Sequence, residues 1–302
     1  MGSKVVIASY LQAMITGVVM GLLFRFYMFR RDYRQYPSYP HGAVTHLAMG
    51  FIAAVLGALA VPALAEKEFT AVTFLALAAT QFREVRAMER EMLENLDQTG
   101  LVSRGKDYIE GIARVFEARN YLVMFLALLV GGATYWGNIY YGLLFGFFIF
   151  LLLRKFISGK VIGDIATVRE GKVHFDGPLL LVENITFMNL GTEAVKNTYL
   201  ERAMGIIIEP LDDDARATLA NRGQRMAIAH DTAALMGIYR DVDTPEFMPI
   251  VRRDLDTGRV GLVILPLERD VELLLAAVRR VPVLESAVNT PLKTSLGRKA
   301  AD

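Results

Sequence analysis

Two short words in this chain carry the spelling of acid chemistry. Asp256-Thr257-Gly258 matches the active-site turn of acid proteases, where paired aspartates share one proton to activate water. Gly163-Asp164 matches the end of the Gly-x-Gly-Asp word of membrane-embedded aspartyl proteases. Both depart from their patterns. Arg252-Arg253-Asp254-Leu255 precedes the first, where an apolar strand is wanted, and Asp-Thr-Gly between two strands also spells an ordinary hairpin turn. The second lacks its first glycine, and each word needs a second aspartate from elsewhere. His174 with Asp176, and His230 with Asp231, are pairs that more often complete a hydrogen-bond network than cut a bond. The catalytic candidates are therefore Asp164, Asp176 and Asp256. Asp212-Asp213-Asp214 follows Pro210 at a helix start, where capping and the helix dipole explain carboxylates better than a metal does. Cysteine is absent, which removes thiolate chemistry and cysteine zinc sites, and no metal or cofactor is expected.

The elements that must position these residues divide the chain in two. With 53% hydrophobic and 22% charged residues and a mean hydropathy of +0.34, the 302-residue chain is too apolar for a wholly soluble domain. Five apolar stretches, at 5–24, 43–65, 69–81, 121–135 and 139–153, predict a membrane α-helical bundle of about five transmembrane helices. Basic residues alternate between its two sides. Arg25, Arg30, Arg31 and Arg34 follow the first stretch, seven Lys or Arg from Arg83 to Arg119 separate the third from the fourth, and Arg154, Lys155 and Lys160 follow the fifth. Lys4 and Lys67 fall on the other side. The positive-inside rule then gives a multi-pass protein of the cell (inner) membrane, with its N-terminus outside and its C-terminus cytosolic. Stretch 69–81 is shorter than a full crossing, so a re-entrant pair with the second stretch is the alternative.

Outside, this threading leaves little more than Glu66-Lys67-Glu68 and the surroundings of Trp136-Gly137-Asn138, so function should face the cytosol. Gly17/Gly21 and Gly142/Gly146 stand at the small-xxx-small spacing of closely packed helices, and the chain alone leaves a homo-oligomer open. No Asp, Glu, Lys or Arg is expected deep in a span; His46 comes nearest, as an interfacial histidine bonded to a neighbouring helix. A transporter is disfavoured on that ground. The bundle's partner is membrane lipid, and a net charge of +1 gives no reason to expect nucleic acid.

Two amphipathic helices are predicted in the cytosolic loop at 82–120. Phe82, Val85, Met88, Met92 and Leu96 recur at helical spacing, and Gly100 ends that run. Asp107 and Glu110 stand at capping-box spacing before Ile109, Ile112, Val115 and Phe116, a second helix that feeds the fourth span, with Glu110/Arg114 as a surface pair. Residues 32–42, rich in Tyr and Pro, should form an ordered extended segment at the cytosolic mouth and meet the helix of Tyr108–Ala113.

Several of these words resemble one family. Tyr108-Ile109-Glu110-Gly111-Ile112-Ala113 spells the hexapeptide for which the YIEGIA membrane proteins are named. Asp32-Tyr33-Arg34-Gln35-Tyr36-Pro37, Tyr39-Pro40-His41-Gly42, Lys67-Glu68-Phe69-Thr70-Ala71-Val72, Gln81-Phe82-Arg83-Glu84-Val85-Arg86 and Phe116-Glu117-Ala118-Arg119-Asn120-Tyr121 are similar to that family as well. The resemblance implies a multi-span protein of endospore-forming bacteria, associated with sporulation and working with a small separate capping subunit in the cytosol. It supplies no active site. The residues of these words that face the cytosol, Tyr33, Arg34, Tyr36, His41, Arg83, Arg86, Tyr108, Glu110 and Arg119, are the candidate binding surface.

After Gly159 the pattern changes to short β-branched runs. Residues 161–168 and 172–175 read as a hairpin, followed by strands at 179–182 and 185–188, a helix at 192–204, a strand at 205–209, a helix at 212–237 broken near Gly223, strands at 247–252 and 259–265 and a helix at 268–280. The expected domains are a transmembrane helical domain at 1–157, a β-rich neck at 158–190, a C-terminal cytosolic α+β domain at 191–292 and a flexible tail at 293–302. The function that follows is a sporulation-associated regulatory or partner-recruiting role, with a membrane-bound aspartyl-type protease (a peptidase) as the alternative.

Overall fold

A computed structural model of the protein describes residues 2–32, 40–98, 100, 102–156, 159–239, 247–290, 293–295 and 299. The chain divides into two units, Met1–Glu89 with Ile112–Ser158, and Arg90–Gly111 with Gly159–Asp302.

The first unit is helical: α1 (Gly2–Asp32), α2 (Pro40–Ala65), α3 (Phe69–Thr80), the first half of α4 (Phe82–Asp97), most of α5 (Lys106–Trp136), and α6 (Ile139–Phe156). Small residues decide how closely these helices approach. A Cβ at Gly17 would meet Ala58, one at Gly21 would meet Ala54, and one at Gly50 would meet the side chain of Arg25. Rising numbers on α1 thus oppose falling numbers on α2, and the two helices run antiparallel with their backbones nearly touching. On a third side, Gly17 lies against the Ala127 carbonyl, Gly57 against the Met124 carbonyl and Gly131 against the Ala58 carbonyl, which brings α5 equally close. Around this contact Phe24, Met28, Ala53, Ala54, Phe82, Val123, Leu126 and Val130 form the core. Leu11, Ile15, Val19, Leu23 and Phe26, three or four residues apart on α1, stay exposed as an apolar stripe, the surface a helix turns to lipid.

Three described helices are long and apolar enough to cross a bilayer, Ala8–Phe29, Gly42–Ala65 and Lys106–Trp136. The other two expected spans are shorter. The 12 residues of α3 extend about 18 Å at about 1.5 Å per residue, against about 30 Å of hydrocarbon, and α6 is an apolar helix of intermediate length.

The second unit holds the end of α4, the start of α5 and an α+β region with two sheets. After α7 (Ile162–Ile165) come β1 (Ala166–Gly171), β2 (Val173–Asp176), β3 (Leu179–Val182), β4 (Ile185–Asn189), α8 (Glu193–Arg202), β5 (Met204–Pro210), α9 (Asp213–Ala220), α10 (Arg222–Met236), β6 (Ile250–Arg253), β7 (Val260–Ile264) and α11 (Val271–Arg280). One sheet has the order β1-β5-β7-β6 and the other β2-β3-β4, with every pairing antiparallel.

The expected hairpin of 161–168 with 172–175 does not form. β1 runs on through Arg169-Glu170-Gly171 and pairs with β5, while β2 pairs with β3. Lys172 alone separates β1 from β2, too short for a hairpin turn, so the chain steps from one sheet to the other. The residues expected to make a separate neck are thereby split between both sheets. Where the sheets approach, Gly171 faces Gly205 across the β1–β5 ladder, and a Cβ on either would meet Val182.

Leu180, Val182, Ile185 and Phe187 of the smaller sheet pack on Ile207 and Val263 of the larger. Strand side chains alternate in direction, so the equally buried Ile206, Ile208, Val260 and Leu262 point to the opposite face, where α10 and α11 pack. Burial on both faces explains the unbroken apolar runs of β5 and β7. Arg169 of β1 joins Glu183, in the turn between β3 and β4, to Glu209 of β5, and Arg259 reaches the same Glu209 at 3.3 Å.

Gly57→Val forces a side chain into the Met124 carbonyl and should lower the stability of the detergent-solubilised protein by more than about 2 kcal/mol in a denaturant titration. Gly191→Ala, with open space around it, should change it little.

Candidate functional site

Arg25 is fully buried in the helical unit, although the sequence reading places it with the basic residues of a loop. The loop reading fails because α1 runs to Asp32, which puts Arg25 inside the first candidate span near its end. The expectation that no Asp, Glu, Lys or Arg stands deep in a span is not overturned by a residue so near the end. A hydropathy count registers an arginine only as polar, whereas a buried guanidinium is tolerated when acceptors surround it. Its Nε donates to the His46 carbonyl at 3.2 Å, and an Nη lies 2.8 Å from His46 Nδ1. A guanidinium can only donate, so Nδ1 accepts and the neutral ring carries its proton on Nε2. That nitrogen faces Glu89 Oε1 of α4 at 3.6 Å. Phe116 of α5 closes the cluster, with its ring centroid 4.4 Å from that of His46 and 5.8 Å from the Arg25 guanidinium carbon. His46, expected to bond a neighbouring helix, meets an arginine of α1 and also faces a glutamate of α4.

Arg119 and Asn120 follow on α5, both buried. Arg119 donates to the Met28 carbonyl at 3.3 Å, while neither amide atom of Asn120 has a hydrogen-bond partner among the described residues. Among the other candidate binding residues of this unit, Arg86 pairs with Glu117 at 3.1 Å and Arg83 is exposed. Tyr33, Arg34 and Tyr36 lie outside the described residues, as does the side chain of His41, and so does the expected meeting of segment 32–42 with the Tyr108 helix.

In the second unit the start of α5 is gripped by α10. Tyr108 is fully buried, and its hydroxyl donates to Asp231 at 3.3 Å. Burial pushes the Asp231 carboxyl from its ordinary 3.8 up to about 7, against the smaller opposing effects of the Tyr108 hydrogen bond and the Arg104 charge. His230 lies 2.9 Å from the Val102 carbonyl through Nδ1, which must therefore donate. Burial, helped by Arg104, takes its pKa from 6.5 down to about 4. The connecting loop is held by Asp97, whose carboxylate accepts from the Ser103 hydroxyl at 2.6 Å and the Arg104 amide at 2.7 Å. Burial raises the Asp97 pKa, but these bonds and that of the Gly105 amide outweigh it and hold the group below its ordinary value. Glu110 lies 3.8 Å from Arg90, and Asp107 pairs with Arg222 at 3.1 Å.

The three catalytic candidates are exposed and far apart in topology. Asp164 accepts from the Val161 amide at 2.9 Å and caps α7; Asp176 ends β2. Asp256 sits in the turn between β6 and β7, where its carbonyl accepts from Arg216 at 2.6 Å. Its neighbour Asp254 accepts from the Thr257 hydroxyl, which holds that carboxyl below its ordinary value. Two carboxylates sharing a proton would raise one of them instead, the opposite of the shift at Asp254. Asp212 caps α9 by accepting from the Ala215 amide at 2.7 Å.

Three described helices long and apolar enough to cross a bilayer, with an α+β region of two sheets, are consistent with a membrane protein. The chain belongs to the YIEGIA family: the family model described as YIEGIA protein matches residues 13–294. It is similar to the uncharacterized protein YphB of Bacillus subtilis (strain 168), 47% identical over 284 residues that cover 94% of this chain and 96% of that protein. No solved structure matches it.

Arg25→Ala removes the donor to the His46 carbonyl and Nδ1 and should cost about 3–5 kcal/mol in a denaturant titration, with Arg25→Lys intermediate because one ammonium does not reproduce the two-point contact. The pH dependence of the second unit should show two opposed effects. As pH rises from about 4 to 7, the unfolded chain releases the Asp231 proton that the fold retains, which lowers stability; over nearly the same range the unfolded chain sheds the His230 proton that the fold never binds, which raises it. Asp231→Asn removes the first effect, so its stability should rise from pH 4 to 7 more steeply than that of the unaltered protein. The gain over the unaltered protein at pH 8 should be about 1–4 kcal/mol.

Proposed function

We propose that this protein is a multi-pass protein of the cell membrane whose α+β region is cytosolic and recruits a small protein partner during spore formation. In this reading α1, α2, α3, α5 and α6 make five crossings, α3 as a short span that thins the bilayer, with the N-terminus outside. Residues 1–157 are then the membrane domain, with a cytosolic helical loop at 82–120, and the cytosolic region reaches to 292 with a tail beyond it. The side of each basic cluster supports this threading, and the family resemblance supports the setting and the capping subunit as partner.

The observation that carries the binding role is a cavity of about 390 Å³ in the α+β unit. Met188, Leu190, Val195, Tyr199, Phe247 and Ile250 line it. Such a lining seats an apolar side chain of a partner and offers little for acid–base chemistry. The exposed positions of Asp164, Asp176 and Asp256 weigh in the same direction.

Two experiments test the reading. Reporter fusions after Ala65 and after Asp302 should report opposite sides of the membrane; the same side for both overturns the threading. Val195→Arg, which fills the cavity with charge, should reduce sporulation at an unchanged protein level. The triple substitution Asp164→Asn, Asp176→Asn, Asp256→Asn should leave sporulation intact, and loss of sporulation at normal protein level would replace the binding role with a catalytic one.

A further inference from the structure

Four arginines of the α+β unit gather where α10 begins and β6 ends, and the cavity above uses none of them. Arg222 and Arg225 occupy the first turn of α10, which packs against β6. In the β6–β7 ladder Arg253 stands opposite Val260 and Val251 opposite Leu262. The pleat therefore puts Arg253 on the sheet face that α10 covers, while Arg252, opposite Gly261, follows on the edge strand with the other orientation. Arg225 donates to the Leu219 and Ala220 carbonyls at 3.4 and 2.5 Å. Burial first, then the charges of Arg253, Arg222 and Arg252, weaken its hold on its proton.

Among the described residues, acids are scarce here. Asp107 acts on Arg225 in the opposite sense, but it is already paired with Arg222 at 3.1 Å. Asp254, next along from Arg253, accepts from Thr257 and from the Asp256 amide. Arg253 Nε is buried with no hydrogen-bond partner among the described residues. The chain as a whole is nearly neutral at +1, so this concentration of cations is local and does not follow from composition.

Guanidinium groups brought close together repel one another, and a buried donor without an acceptor is destabilising. An anion with several oxygens relieves both, because each planar fork takes two oxygens and one phosphate presents enough for more than one fork. A single carboxylate satisfies one fork and leaves the others unmet. We propose that Arg222, Arg225 and Arg253, with Arg252 adding to the positive field, bind a phosphate group. The recognised chemistry is the phosphate itself, carried by a soluble phosphorylated molecule or by an anionic lipid headgroup.

The test uses the full chain in nanodiscs of phosphatidylcholine alone or of phosphatidylcholine with phosphatidylglycerol, with inorganic pyrophosphate as the soluble probe. In phosphatidylcholine discs, pyrophosphate should raise the melting temperature saturably, and Arg252→Gln/Arg253→Gln should weaken that binding at least about tenfold, as expected for the loss of charge-assisted bonds. Arg269→Gln removes a charge that contacts the Glu201 carbonyl instead and should leave the binding unchanged. A soluble ligand predicts the same pyrophosphate response in both discs. A headgroup predicts that phosphatidylglycerol alone gives the arginine-dependent shift and blocks pyrophosphate. Should the double variant fail to fold, Arg222→Gln, at a more exposed position, serves as the second variant and should also weaken binding. No shift with either probe, or an equal loss with Arg269→Gln, overturns the proposal.

Discussion

A guanidinium sealed inside a helix bundle sets the terms for the helical unit. Removing such an ion from water costs several kcal/mol unless acceptors surround it, and Arg25 finds them on a different helix from its own. The requirement reaches further than one bond. Gly50 must lack a side chain because the Arg25 stem fills that space, His46 must present its Nδ1 lone pair, and Glu89 must stand near the protonated Nε2. Phe116 packs its ring against the group. Four helices, α1, α2, α4 and α5, thus each contribute a part that has meaning only when the other three are in place. The glycine contacts along α1, α2 and α5 allow the backbones to come close enough for this to occur.

The α+β unit is governed by a different constraint, burial on both faces of its larger sheet. β5 and β7 carry apolar residues in every direction because a second sheet covers one side and helices cover the other. Glycine is required where the sheets meet, at Gly171 and Gly205, since Val182 occupies the space of any Cβ there. On the helix side, α10 holds Tyr108 through Asp231 and Val102 through His230. The first residues of the family hexapeptide therefore serve in the packing of this unit, which accounts for a tyrosine there: its ring is buried and its hydroxyl satisfies a buried carboxyl.

The buried ionisable groups and the aspartates of the protease-like words occupy different surroundings. Ionisable groups that are buried hold one another or a backbone carbonyl, whereas the aspartates whose surrounding words spell catalysis stand in exposed turns and caps. A short motif states only which residues are adjacent in the chain. Acid-protease chemistry needs two carboxylates brought together from separate segments in a buried cleft, and here the Asp-Thr-Gly word uses its polar atoms to close a hairpin.

Much of the architecture is local and therefore readable along the chain. Apolar length marks the candidate crossings at α1, α2 and α5; Gly100 marks the end of α4 and Asp212 the start of α9; β-branched runs mark β3 to β7. These follow from hydropathy and backbone preference within a few residues. What depends on distant partners was decided by the tertiary structure. The pairing of β1 with β5 rather than β2 arises because one residue cannot turn a hairpin, and the partner strand lies some distance further along the chain. The Tyr108–Asp231 bond joins residues 123 apart. Arg25 has the hydropathy of a loop residue, and only the acceptors that folding brings to it make its burial possible, because the free energy of a charge depends on its surroundings and not on its neighbours in sequence.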